Sequence, residues 1–306
     1  MATIREIGED ELPRWVAAMR AVSPRTDTPE GFLDWKQQAQ ETIWLLASEG
    51  DADVGAAIGI HGWHSPPGVA RAEVRVVPAA RGRGIGAELL AAVGVWATTH
   101  GCTELTGPVV EDDEPSLRWA ERRGFVEVGR DGTLALDLTA IEAPTVDPPD
   151  GVVVVPWAAR DGLERGMYAV AQEAYVDVPG EEGTEVPPFE RWLSMDMSGA
   201  GDRREATFVA LVDDEVVGYA KLSLSLARPH VAMHDMTGVL RTFRGRGIAA
   251  ALKRAEIAWA KENGFERLET MNEERNEPIR RLNERHGYVL EPGTITVRGS
   301  VLVGTA

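Results

Sequence analysis

Two short glycine-containing segments of this chain are nearly identical, and they lie 163 residues apart. One reads Arg-Gly-Arg-Gly-Ile-Gly-Ala from Arg81, and the other reads Arg-Gly-Arg-Gly-Ile-Ala-Ala from Arg244. The same offset places Trp96 on Trp259, with no insertion or deletion between the two pairs. A match held in register over this length indicates a tandem repeat. The chain is therefore expected to fold as two similar domains.

The length of 306 residues agrees with two domains of ordinary size. The proline-rich and aspartate-rich stretch 140–151 cannot easily form a helix or an alternating strand, so it is the expected boundary. The predicted domains are residues 1–140 and 151–306, with a linker at 141–150. Strands alternate with helices in both halves. This pattern predicts an α/β (α+β layered) fold in which each domain has a mixed central sheet flanked by helices.

The net charge of −17 argues against a nucleic-acid partner, since such proteins normally present a basic face. Cys102 is the only cysteine, which excludes an internal disulfide and is typical of a reducing compartment. The first fifteen residues carry four acidic groups and no apolar run, so neither a signal peptide nor a membrane span is expected. These observations predict a cytoplasmic protein. They leave its oligomeric state undetermined.

The glycine motifs are suited to binding an anion. Glycines allow successive backbone N–H groups to converge without obstruction by Cβ, and the helix that follows directs its positive end to the same place. A pyrophosphate is a natural ligand for such a turn. The spacing also satisfies the dinucleotide-binding pattern Gly-x-Gly-x-x-Gly/Ala. That fingerprint, however, normally joins a first strand to a first helix, whereas these motifs come after several strands. A nicotinamide-dependent oxidoreductase is therefore not expected.

The segments 76–86 and 239–249 resemble the acyl-CoA-binding motif of the GNAT superfamily of N-acyltransferases, Arg/Gln-x-x-Gly-x-Gly/Ala after a strand. The later segments 121–125 and 284–288 resemble the closing helix of that family. The resemblance covers both halves, and the layout is similar to mycothiol-synthase-like and uncharacterised bacterial two-domain members. In the second half, Asn272, Asn276 and Asn283 are similar to an asparagine-rich block of that subgroup.

The resemblance implies direct transfer of an acyl group from acetyl-CoA, or another acyl-CoA, to the amine of a small metabolite or antibiotic-like molecule. No metal or membrane would take part. The strand before each motif would hold the pantetheine arm and the turn would hold the pyrophosphate. The implied cofactor-binding residues are Val76, Val77, Arg81, Gly82, Arg83, Gly84, Ile85 and Gly86, and Val239, Leu240, Arg244, Gly245, Arg246, Gly247, Ile248, Ala249 and Asn276. A non-catalytic acyl-CoA-binding or regulatory module is the alternative.

Catalytic groups are harder to assign. Many members of the family place a tyrosine four residues before the closing glycine, to protonate the departing thiolate, but this chain has Ala120 and Asn283 there. Asn283 is expected to hydrogen-bond the cofactor or substrate, or else to serve as a polar group of the helix. For the general base, the candidate is Asp235, together with His234. Glu73 is the candidate in the first half.

The histidines do not predict a metal site. His230 and His234 are four residues apart, but the apolar residues around them indicate a strand, along which this spacing amounts to about 13 Å. His61 and His64 would face opposite sides of a strand or lie in a loop. No metal is expected.

The second half also contains a segment, 178–204, with no counterpart of similar length in the first. It is either a surface excursion with one short helix or a lid over the substrate. Its glutamates (Glu181, Glu182, Glu185 and Glu190) would attract a cationic acceptor. Together with Asp235 and the asparagines, this segment predicts that catalysis belongs to the second half.

Overall fold

The computed structural model describes residues 2–62, 65–177, 186–273 and 276–302. Contacts divide the chain into two compact units, residues 1–130 with 292–306 and residues 131–291. The first is called unit 1 and the second unit 2. Each is a mixed sheet flanked by helices, as the sequence predicts.

The described residues of unit 1 form six strands in the order β1-β2-β3-β4-β5-β12. Among these strands, β4 and β5 pair in parallel, and the other recorded pairs are antiparallel. The strands are β1 Thr3–Glu6, β2 Ala39–Glu49, β3 Ala52–Gly62, β4 Val69–Val76, β5 Glu104–Val110 and, from the end of the chain, β12 Val289–Ser300. The helices are α1 Leu12–Arg20, α2 Pro29–Gln38, α3 Ile85–Thr99 and α4 Glu114–Glu121.

Unit 2 repeats this plan with the strand order β6-β11-β10-β9-β8-β7. Here the parallel contact is between β10 and β11. The strands are β6 Val126–Asp137, β7 Val153–Pro156, β8 Asp202–Val212, β9 Glu215–Leu224, β10 Val231–Val239 and β11 Arg267–Glu273. The helices are α5 Glu164–Ala174, α6 Phe189–Asp196, α7 Ile248–Glu262 and α8 Glu277–Arg285.

The final strand of each repeat lies in the other unit. Residues 294–300 of β12 pair with β5 in unit 1, and residues 131–137 of β6 pair with β11 in unit 2. The chain therefore passes from unit 1 to unit 2 between residues 130 and 131, and returns to unit 1 between residues 291 and 292. The domains predicted from the sequence end instead at residues 140 and 306. The two last strands occupy equivalent positions of the repeat, so the repeat alone does not specify which sheet each of them joins. The linker at 141–150, which separates the two repeats in the sequence, stays a prediction.

Hydrophobic cores lie on both faces of each sheet. In unit 1, α3 packs Leu89 and Val93 on one face, and α1 packs Trp15 on the other. In unit 2, α7 occupies the corresponding face with Leu252, and α5 and α6 cover the opposite face with Trp192. This packing fixes the helix that follows each glycine turn against the strand that precedes it.

Candidate active site

Both glycine motifs form the same turn at the start of a long helix. Gly82 and Gly84 have φ of 75° and 88°, and Gly245 and Gly247 have 76° and 87°. These left-handed values disfavour residues with a side chain. Gly84 and Gly247 are the N-cap residues of α3 and α7. Because glycine cannot cap a helix with a side chain, the first backbone N–H groups remain available for an anion.

The first arginine of each motif fastens the turn to the strand before it. Arg244 Nε donates to the carbonyl oxygen of Val239 at 2.9 Å. Arg81 makes the same bond to the residue five positions before it, at 3.1 Å. Arg244 also pairs with Asp177 at 2.6 Å. Hydrogen bonds from Arg241 and Arg244 lower the pKa of Asp177, so this carboxylate stays charged beside the turn of unit 2.

The parallel strands next to each turn separate after a short contact. Strands β10 and β11 pair in register from Val231 and Arg267 to Met233 and Glu269, although β10 continues to Val239. Strands β4 and β5 likewise pair at three positions. A place where two parallel strands stop pairing can admit an extended ligand, such as a pantetheine arm, that hydrogen-bonds to the strand backbone.

A β-bulge distinguishes the two repeats. Strand β10 pairs His234 with Leu222 and Met236 with Lys221, which leaves Asp235 as the extra residue. By contrast, β3 and β4 hold one register along all their pairs. Bulges re-aim side chains and are frequent beside active sites. Here the bulge lies where β10 parts from β11.

Unit 2 has a cavity of about 470 Å³ between the glycine turn and α8. Its volume lies within the range typical of small-molecule sites. It is lined by predicted cofactor residues and by the first turns of α7 and α8: Val239, Phe243, Arg244, Gly245, Gly247, Ile248, Ala249, Ala250, Pro278, Arg281, Leu282 and Arg285. The three arginines make this cavity suitable for phosphate groups.

Asp235, the predicted base, is half exposed and forms an ion pair with Lys221 at 2.7 Å. Lys221 is almost fully buried and also pairs with Asp202 at 3.0 Å. It donates a further hydrogen bond to the carbonyl oxygen of Asp196. Burial would lower the pKa of Lys221, but the charges of Asp235 and Asp202 outweigh it and raise the pKa. The lysine therefore stays protonated and holds the Asp235 carboxylate at the bulge.

His234 does not accompany Asp235. Its side chain is buried on the other face of β10, where Nδ1 lies 3.0 Å from a carboxylate oxygen of Glu256 and Nε2 bonds the hydroxyl of Tyr288. Burial, with a smaller contribution from Lys253, lowers the pKa of His234 to about 4. The imidazole is thus neutral at physiological pH. The structure separates the two residues of the predicted base.

A buried polar cluster surrounds His234. Lys253 and Glu256 of α7 have almost no exposed surface, and their charged groups are 3.9 Å apart. Burial lowers the pKa of Lys253 to about 8 and raises that of Tyr288 well above its usual value. The sequence analysis missed this cluster. The repeat contained a signal for it, since Leu90 and Val93 occupy the positions of Lys253 and Glu256 in α3.

The three asparagines differ in position. Asn283 is completely buried on α8, where Ala120 stands in unit 1. Asn276 is the N-cap residue of α8, beside the cavity-lining Pro278. The side chain of Asn272 lies outside the described residues. The predicted roles of Asn276 and Asn283 stay predictions.

The backbone of the predicted pantetheine-binding residues is partly engaged within the chain. The Val239 carbonyl accepts the bond from Arg244, and the Leu240 N–H donates to Val217 at 2.9 Å. Ligand contacts to β10 are therefore expected nearer the bulge. Arg83 pairs with Glu49 at 2.9 Å, and Arg246 stacks over the ring of Phe243, which lines the cavity beside the turn.

Only part of the 178–204 segment is described. It contains α6, whose Trp192 is fully buried, and Met197, which is also buried. Glu190 is exposed on α6, whereas Glu181, Glu182 and Glu185 lie outside the described residues, as does His64. Residues 186–204 therefore contribute to the core of unit 2.

Within the described parts of the chain, no group of three or more His, Cys, Asp or Glu side chains is placed to hold a metal ion. No helix among the described residues is long and apolar enough to span a membrane.

Known proteins resemble the chain in sequence and in fold. Aminoglycoside N(6')-acetyltransferase type 1 of Salmonella enteritidis is 25% identical over 135 residues, which cover 42% of this chain and 93% of that protein. A GCN5-related N-acetyltransferase from Sphaerobacter thermophilus has a TM-score of 0.75 at 22% identity and covers 98% of this chain and 96% of its own. A tandem GNAT protein from the clavulanic acid biosynthesis pathway has a TM-score of 0.78 at 21% identity, with 100% of both chains covered.

The description "Acetyltransferase (GNAT) family" belongs to a family model that matches residues 4–125 and 165–288. These ranges contain both glycine turns and both parallel strand pairs. They confirm the tandem repeat, and they favour an enzyme over a non-catalytic binding module. The chain belongs to the GNAT acetyltransferase family, as a member with two tandem copies of the fold.

Proposed function

We propose that the chain transfers an acetyl group from acetyl-CoA to the amine of a small, cationic molecule, and that unit 2 carries out the reaction. The observation that carries this proposal is the bulge in β10. It places the Asp235 carboxylate where β10 and β11 separate, in the unit whose glycine turn borders an arginine-lined cavity. The regular register of β4 offers no counterpart.

The turn 244–249 and the cavity beside it would hold acetyl-CoA. Its backbone N–H groups and Arg281 and Arg285 face the space that a pyrophosphate would fill. The slot between β10 and β11 would direct the thioester toward the bulge. Holding the thioester and the amine together in this way supplies most of the acceleration, with effective molarities of roughly 10⁵ M or more available.

In the proposed reaction the amine nitrogen attacks the thioester carbonyl carbon, the C–S bond breaks, and an amide and free CoA result. Asp235 accepts the proton that the amine loses, and the departing thiolate takes up a proton from solvent. Lys221 positions the carboxylate through its 2.7 Å ion pair. Asp235 is half exposed, so an incoming amine can reach it.

A cationic acceptor fits the charges around the bulge. Two carboxylates, those of Asp202 and Asp235, pair with the single ammonium of Lys221, which also donates to the backbone carbonyl oxygen of Asp196. This leaves an excess of negative charge at the point where the acceptor would enter. The matched Salmonella enzyme is named for aminoglycosides, and polyamine-like antibiotics of that kind are therefore the first acceptors to test.

The test measures thiol release from acetyl-CoA with a panel of aminoglycosides, polyamines and simple primary amines. Asp235→Asn should reduce kcat about 10² to 10⁴-fold, the usual contribution of a general base. Its affinity for acetyl-CoA should change little. Glu73→Gln, at the candidate position of unit 1, is the matched control and should keep full turnover. Full turnover by Asp235→Asn, or loss of turnover in Glu73→Gln, would contradict the assignment.

A further inference from the structure

The repeat allows the cavity of unit 2 to be compared with the same place in unit 1, residue by residue. Val239, Ala249 and Leu282 line the cavity beside α8. At an offset of 163 their counterparts are Val76, Gly86 and Trp119. The largest difference is at the third position, where unit 1 has an indole in place of a leucine side chain.

The indole of Trp119 packs against Gly86, whose counterpart Ala249 borders the cavity of unit 2. A β-carbon built on Gly86 would be 3.5 Å from Cζ2 of Trp119, 3.9 Å from its Cε2 and 3.5 Å from Cγ2 of Val76. The ring therefore packs against the first turn of α3 and beside the end of β4. The counterparts of both neighbours, Ala249 and Val239, border the cavity of unit 2.

Arg123 holds the ring in this position. Its guanidinium carbon is 4.1 Å from the ring centroid, and its Nη1 donates to the Trp119 carbonyl oxygen at 3.1 Å. Such a cation–π contact stabilises the ring in place. In unit 2 the corresponding residue is His286, whose Nδ1 lies 2.8 Å from the Leu282 carbonyl oxygen.

A carboxylate adds to this difference. Oε1 of Glu88, in the first turn of α3, lies 3.7 Å from a β-carbon built on Gly84, the N-cap glycine. A negative charge at a helix N-terminus is favourable for the helix. It also repels a second anion from the same N–H groups. The counterpart in unit 2 is Ala251, which is buried and uncharged.

We propose that unit 1 keeps its anion-binding turn but closes its own acyl-CoA slot with Trp119 and Glu88, so that the chain binds one acyl-CoA, in unit 2. This inference rests on the proposed binding of acetyl-CoA to turn 244–249. The site in unit 1 is latent: replacing the indole by the leucine of unit 2 should open it.

The experiment counts acetyl-CoA molecules bound per chain by isothermal titration calorimetry. The unchanged chain should bind one, and Gly247→Asp should bind none. Trp119→Leu combined with Glu88→Ala should bind two, with the second site retained in the Gly247→Asp background and abolished by adding Gly84→Asp. The reverse exchange, Leu282→Trp, should close the slot of unit 2 and abolish binding to the otherwise unchanged chain.

Two sites in the unchanged chain, or a single site in the folded Trp119→Leu/Glu88→Ala variant, would overturn the proposal. If the unchanged chain bound no acetyl-CoA at all, the proposed function would fail instead. Hydrogen exchange on the unchanged chain gives a second measurement that needs no folded variant. Acetyl-CoA should protect the amides of residues 245–252 and leave the exchange of residues 82–89 unaltered. Protection of both turns would again overturn the proposal that unit 1 closes its own slot.

Discussion

The buried ion pair on α7 can be tested by replacing it with the residues that unit 1 has at the same two positions. Lys253 and Glu256 lie in the core of unit 2, while Leu90 and Val93 fill the same two positions of α3 in unit 1. Exchanging the pair as Lys253→Leu/Glu256→Val gives unit 2 the apolar residues that the fold already accommodates. Each single exchange instead leaves one buried charged group without its partner.

The single variants should be much less stable than the double variant. Removing one member of a buried ion pair typically costs about 3–5 kcal/mol, whereas replacing the whole pair by apolar residues is often neutral or stabilising. For Glu256→Val, the loss of stability caused by the unpaired lysine also has an upper limit. The remaining Lys253 can lose its proton, which for an ordinary lysine at pH 7.5 costs about 4 kcal/mol, because each pKa unit is worth about 1.4 kcal/mol.

Glu256→Val also removes the acceptor that lies 3.0 Å from His234. The neutral imidazole keeps its contact with the Tyr288 hydroxyl, so this loss adds about 1 kcal/mol, the net value of a typical hydrogen bond. We therefore expect each single variant to lose about 3–5 kcal/mol and the double variant to lie within about 1–2 kcal/mol of the unchanged chain. The coupling energy would exceed about 3 kcal/mol.

Native-state hydrogen exchange at pH 7.5 is a suitable assay because it reports on each unit separately. Amides of α7 should become less protected in the single variants and recover in the double variant, while amides of α3 in unit 1 serve as the internal control. If the losses of the two single variants simply added in the double variant, the two groups would not be coupled. A cost below about 1 kcal/mol for either single variant would show that water reaches the site.

Two further predictions concern pH and the turns. The pKa of His234 is lowered from 6.5 to about 4 in the folded chain. The unfolded chain therefore binds this proton at a higher pH than the folded chain does, and the free energy of unfolding should fall as the pH drops from 6.5 toward 4. Between pH 7 and pH 5 the loss should be about 2 kcal/mol. Urea unfolding of unit 2 should lose this slope in His234→Gln but keep it in His61→Gln. Once an acceptor is known, Gly247→Asp should abolish turnover and Gly84→Asp should not, and activity lost only in the Gly84 variant would place catalysis in unit 1.

The repeat and the turns could be predicted from sequence because their requirements are local. A turn with φ near 75° and 88° needs glycine at two fixed positions, and this chain has them twice. Local signals also accompany helices α7 and α8, since α8 has a proline in its first turn and α7 consists largely of good helix formers. The fold class follows once these local elements alternate with strands.

The exchange of last strands and the bulge depend on pairing, which local sequence does not specify. A bulge shifts the register by one residue, and only the partner strand reveals it. The opposite orientations of His234 and Asp235 did follow from strand alternation, because neighbouring side chains point to opposite faces.

The same backbone thus carries two different sets of side chains. Unit 1 has an apolar α3 core and the Trp119 indole beside its turn, and unit 2 has a buried ionic cluster and a cavity beside its turn. Unit 1 demonstrates that the fold does not need buried charges on this helix. Buried titratable groups with perturbed pKa values cluster at functional sites. The polar core and the cavity occur in the same repeat as the bulged Asp235, which supports the proposal that unit 2 carries out the chemistry.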